Sequence, residues 1–135
     1  MLFRSEKIMP TQTNLMASGC PALQAQASVG ILTNNVSGAG SSSQANATAI
    51  ISDLTVVTTA AANSGVRLPA DSGQLNIGDS YIVVNHGANS LSVYPATGGK
   101  IANGSINAAF AVAANKVAQF FYLGATNQWS GSLSA

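Results

Sequence analysis

Few residues in this chain have side chains that could act on a substrate. His86 is the only histidine, so any serine nucleophile would depend on it. The nearest arrangement is Ser80, set on a Gly78-Asp79 turn, with His86 following. Residues 80–86 (SYIVVNH) read as one β-strand. Six extended residues cover about 20 Å, whereas a nucleophile and its base must lie within about 3 Å. This pattern is turn chemistry ahead of a strand. One cysteine, Cys20, and one histidine do not complete a zinc tetrahedron. Glu6, Asp53, Asp71 and Asp79 are dispersed, with neither calcium-loop spacing nor the pairing that glycoside hydrolysis needs. Gly98-Gly99-Lys100 lacks the strand–loop–helix setting of a phosphate-binding loop. The chain is therefore expected to be no enzyme, with no catalytic, cofactor-binding or metal-binding residues and no cofactor. Trp129, Tyr81, Tyr94 and Tyr122 could form a sugar-stacking surface, although such rings more often serve core or interface.

Composition narrows the partners. Charged residues make up 7% of the 135-residue chain, against roughly 25% in an average soluble domain. The five basic residues, Arg4, Lys7, Arg67, Lys100 and Lys116, are scattered, which leaves no phosphate-tracking stripe and speaks against nucleic acid. No apolar run approaches the roughly 18 residues of a membrane-spanning helix, so no membrane partner is expected. Ser, Thr, Asn, Gln, Gly and Ala stand where Lys and Glu are usual. Such a surface is weakly self-repelling and suits a protein packed against neighbours.

Positioning elements come next. Residues 1–45 read as an extended N-terminal arm and linker, ordered against a partner or not at all. Within it, Val29, Ile31 and Leu32 could give one short strand, and residues 37–43 (SGAGSSS) a connector. Residues 46–135 read as the body. Residues 48–59 are rich in β-branched side chains, with Asp53 as a bend between two strands. Residues 65–69 (GVRLP) form a short strand stopped by proline. Residues 81–84 are apolar on both sides. Residues 97–100 (TGGK) read as a Gly-Gly hairpin. Residues 105–115 alternate Ile106, Ala108, Phe110 and Val112 on one side and are assigned to a strand. Residues 117–123 and 128–133 close the chain. About seven to nine short strands at this spacing indicate an all-β fold: a compact antiparallel β-sandwich, jelly-roll-like, with the extended arm.

The strand AQFFYL, residues 118–123, has two apolar sides. Phe121 and Leu123 point one way, Phe120 and Tyr122 the other. A sheet with one core should leave one side polar. Burying a large apolar side chain stabilises by roughly 1.5–3 kcal/mol, so the second side should be covered. Phe120, Tyr122, Tyr81 and Val83 are accordingly the candidate subunit interface, expected to meet another copy.

Three stretches together resemble a module of tailed-bacteriophage virion proteins: GVRLPA from Gly65, GDSYIVVNHGANSLSVYPATGGKI from Gly78, and AVAANKVAQFFYLGATNQW from Ala111. A Gly-x-x-Leu-Pro strand precedes a Gly-Asp turn. Then follows Val84-Asn85-His86-Gly87-Ala88-Asn89-Ser90-Leu91-Ser92-Val93-Tyr94-Pro95. The resemblance covers about residues 50–131, and its matched positions are turn and core residues. It implies a capsid decoration (cement) or head-associated structural protein. Such a protein sits on the outer capsid surface of the virion, commonly as a homotrimer, and bridges subunits of the major capsid protein. A head- or tail-fibre domain binding a host glycan is the alternative.

Overall fold

A computed structural model of the chain describes residues 32–38, 43–124 and 126–135, together with Ala17 and Gly19. Most of the expected arm, residues 1–31 apart from Ala17 and Gly19, and residues 39–42 of the expected connector therefore lie outside the described residues. The chain divides between Ile31 and Leu32, and every described strand belongs to the unit Leu32–Ala135. There are ten: β1 (Leu32–Ser37), β2 (Thr48–Ala49), β3 (Leu54–Thr59), β4 (Gly65–Arg67), β5 (Ser80–Asn85), β6 (Leu91–Tyr94), β7 (Lys100–Ile101), β8 (Phe110–Val112), β9 (Lys116–Gly124) and β10 (Gln128–Leu133). Among the described residues one 3-10 turn is present, at Gln44–Asn46. β1 falls inside the region read as arm, yet it is a full member of a sheet, paired with β3 from Leu32–Leu54 onward.

The strands form two sheets, one of six in the order β1-β3-β5-β9-β10-β7 and one of four in the order β2-β4-β6-β8. From β1 to β9 successive strands land on alternate sheets. This overturns the expected antiparallel, jelly-roll-like sandwich. Among the described residues five pairings are parallel and three antiparallel. The reason lies in what the turns do. A hairpin turn returns the chain beside its own strand, whereas most turns here carry it across the core to the other sheet. After two crossings the chain re-enters its first sheet running the same way, so β1, β3 and β5 are parallel neighbours, as are β2, β4 and β6. Gly, Asn and Asp serve both kinds of turn equally well. Gly98-Gly99 illustrates the point. The turn forms, with Gly98 at φ +82° and the Gly99 N–H donating to the Ala96 carbonyl at 2.9 Å. The strand it feeds, β7, then pairs in parallel with β10 and not with β6. The strand expected over residues 105–115 shrinks to β8, because Asn107 takes φ +62° and Ile106 sits in the exposed turn before it.

One core lies between the sheets. Val57, Val83, Phe120 and Trp129 from the larger sheet meet Val66, Leu91, Val93 and Val112 from the smaller. Gly131 faces this core opposite Phe120. A Cβ there would come within 2.9 Å of the Ile101 Cγ2 and 3.1 Å of the Phe110 ring. Its absence lets Phe110 of β8 reach over β10 and stack edge-on against Phe120, with centroids 5.4 Å apart.

Asn85 ties the sheets together by polar contacts. It is fully buried at the end of β5. Its Nδ2 donates to the carbonyls of Asn89 and Val112, both at 2.9 Å, and of Ala113 at 3.2 Å. Its Oδ1 accepts the Gly87 N–H at 3.0 Å. A buried amide so fully bonded incurs little desolvation penalty and holds three chain segments in register. Gly87 follows from the same packing, since a Cβ there would collide with the Ala60 backbone. Asn85→Ala is expected to lower the unfolding free energy by about 3 kcal/mol, because buried carbonyls lose their donor. The denaturant midpoint should fall with an unchanged slope; an unmoved midpoint would refute the role assigned to Asn85.

Candidate interaction face

β9 alternates sides strictly. Ala118, Phe120 and Tyr122 are buried, while Val117, Phe121 and Leu123 are 37%, 39% and 47% exposed. The expected subunit interface is thereby corrected. Phe120 and Tyr122 point into the chain's own core, as does Val83, and all three are buried. Tyr81 is half-buried and packs edge-on against Trp129, with centroids 5.5 Å apart and planes at 80°. Their cover is intramolecular: the four-stranded sheet supplies it. The deciding contact is register. Trp129 pairs with Tyr122, and Phe120 with Tyr81, so the largest rings of three neighbouring strands share one side. The tilted Tyr122–Trp129 contact closes at 5.1 Å.

The other side of the six-stranded sheet follows from the same pairings, because partnered residues project from one face. In one row Leu54 of β3, Ile82 of β5, Gln119 of β9 and Ser132 of β10 lie side by side. In the next, Val84 lies between Val56 and Val117. In a third, Phe121 lies between Ser80 and Ser130. No outward position of β3, β5, β9 or β10 carries a charge. Strands β3 and β5 are parallel neighbours, and parallel strands characteristically read apolar on both sides because both sides are covered. The face ends in a shallow groove of about 240 Å³ lined by Val117, Gln119, Ser132, Leu133 and Ser134. Only the sequence signal of two-sided apolarity in residues 117–123 pointed here, and it did not say which side was which.

The long connection from β4 to β5 is tied to β9 and to the turn before β10. The Tyr122 hydroxyl donates to Asp71 Oδ2 at 2.6 Å, and the Asp71 N–H donates to Asn127 Oδ1 at 2.7 Å. Gly78 N–H donates to the Tyr122 carbonyl and Tyr122 N–H to the Asp79 carbonyl, at 2.8 and 2.9 Å. The Tyr122 hydroxyl and then the Gly73 N–H hold the Asp71 carboxyl below its ordinary range. The same bond, then burial and the charge of Asp71, push the Tyr122 phenol up. A tyrosine with a buried ring and a bonded tip belongs to the core side of β9, whereas Phe121, with no polar tip, has no such anchor.

Ser80 and His86 lie at opposite ends of β5, the first opening it and the second following it. Among the described residues no three His, Cys, Asp or Glu side chains gather as a metal site. A cleft of about 340 Å³ beside Arg67, Pro69, Thr97 and Asn127 is the largest of the described clefts, and the Asn127 amide there is already bonded to Thr97 and Asp71. Of the rings considered for sugar stacking, Trp129, Tyr94 and Tyr122 are buried. The sequence matches no protein-family model and no curated protein.

The Asp71–Tyr122 bond makes stability depend on pH in a fixed direction. Asp71, with its lowered value, contributes stability above the ordinary carboxylate range and loses it as pH falls through that lowered value. Tyr122, with its raised value, contributes below the ordinary phenol range and loses it as pH climbs through the raised one. Asp71→Asn should therefore lower the melting temperature at pH 7, with the difference from wild type closing in strong acid. Thermal melts from pH 2 to 11 test this, and a difference independent of pH would overturn it.

Proposed function

We propose that this chain is a non-enzymatic structural protein of a tailed-bacteriophage virion. It acts as a decoration or cement protein on the outer surface of the assembled capsid, where it contacts the major capsid protein as a homo-oligomer, a trimer by the resemblance. The observation that carries this reading is the apolar, uncharged outer face of the six-stranded sheet. A face of this kind is a liability on a free monomer and an asset on a protein that is permanently packed. Sparse charge over the whole chain agrees with it, since repeated copies crowded on a shell would otherwise repel one another.

The mechanism is mechanical. Each docked copy buries surface on two or more shell subunits at once, and dissociation of either must then break both contacts. Binding to the assembled shell and not to its separated parts stabilises the shell by mass action. A glycan-binding fibre domain would need exposed rings, and burial of Trp129, Tyr94 and Tyr122 removes the stacking platform that reading relied on.

Purified protein added to emptied, expanded capsids should bind saturably and raise the capsid melting temperature by several degrees. Absence of binding, or binding with no thermal shift, would defeat the reading.

A further inference from the structure

We infer that the outer face of the six-stranded sheet is covered by a second copy of this chain, and that this contact forms before any larger assembly. The inference deepens the structural reading above by naming the occupant of the face that carries it.

Three observations select a second copy. First, the face is apolar and free of charge at its centre, where Val84, Val117, Ile82 and Phe121 lie around Gln119. Two such faces meet without like-charge repulsion, and burying Gln119 needs only its counterpart amide as partner. Second, the composition is that of a permanent contact. Interfaces between chains that never live apart are more apolar than those formed late between independently stable partners. A face left bare after folding would drive aggregation. A shell exists only once assembled, whereas another copy is present from synthesis onward at matched supply. Third, the size fits an interface core. Four strands at about 4.8 Å spacing and rows covering about 20 Å give roughly 400 Å² of sheet per copy. A standard interface buries about 800 Å² per partner, its centre apolar and its rim polar. The Ser80, Ser130 and Ser132 positions and the groove beside Leu133 supply such a rim.

Sedimentation velocity and light scattering on the full chain, over about 1–100 µM, test this against two charge variants. Wild type should have two or three times the chain mass of 13.5 kDa. Phe121→Asp and Gln119→Lys each place a charge at an outward position without touching the core. Each should weaken association by about 100-fold or more, because a charge would be buried unpaired, while the circular dichroism spectrum stays that of wild type. A wild-type monomer throughout the range overturns the inference. So does an oligomer whose mass neither variant changes, which would place the contact elsewhere. A monomer in which both variants lower the melting temperature would show that the chain covers this face itself, and it also overturns the inference. Capsid binding is read separately. An oligomer that ignores capsids leaves the inference standing and defeats the virion reading. A monomer that binds capsids through Phe121 does the reverse.

Discussion

A β-strand has two sides, and β9 is apolar on both. Only one side can meet the smaller sheet. Transfer energies alone hardly separate the options, since Phe120 with Tyr122 and Phe121 with Leu123 present similar apolar area. The neighbours decide. Trp129 on β10 and Tyr81 on β5 lie in register with Tyr122 and Phe120, so one choice gathers four rings and the other scatters them. The Tyr122 hydroxyl adds a bond to Asp71 that Phe121 has no atom to make. Once that side is chosen, the interior, the docked β4–β5 connection and the apolar outer face all follow.

The winding of the chain sets the second constraint. Alternating between sheets from β1 to β9 requires close passage of loops over the core ends, and the residues there are small or locally bonded. Gly87 lies against Ala60, and Gly99 against Asn127. Asn63, Asn107, Asn115 and Asn127 take positive φ, which asparagine tolerates better than most residues. Asn85 completes the arrangement by bonding to the β5–β6 turn and to the end of β8. The Val-Asn-x-Gly-x-Asn stretch is thus a device for crossing between sheets, with Asn89 bonded across to the Ala60 carbonyl at 3.0 Å.

These constraints also bear on biological role. Among the described residues, Asp71 anchors a loop, Asp79 caps the Asn76 turn, and His86 follows a strand. The outward positions of β3, β5, β9 and β10 form one uncharged, largely apolar sheet face. A protein organised this way is suited to being one repeated part of a larger body, which is the sense of the function proposed.

Strand content was legible in the residues themselves. Alternation and β-branched runs marked β3, β5, β9 and β10, and the bend at Asp53 and the stop at Pro69 were visible as turn chemistry. The two-sided apolarity of residues 117–123 also announced that something must cover a second face. Those are local properties, determined within a few residues by side-chain type and backbone geometry. Strand direction, sheet membership and the exposed side of β9 were not local. A glycine turn bends the chain equally well toward its own sheet or across the core, and Phe120 and Phe121 have the same affinity for water's absence. Only the assembled register of β5, β9 and β10, with Trp129 and Gly131 shaping the space beneath Phe110, settled which ring went in and which stayed out.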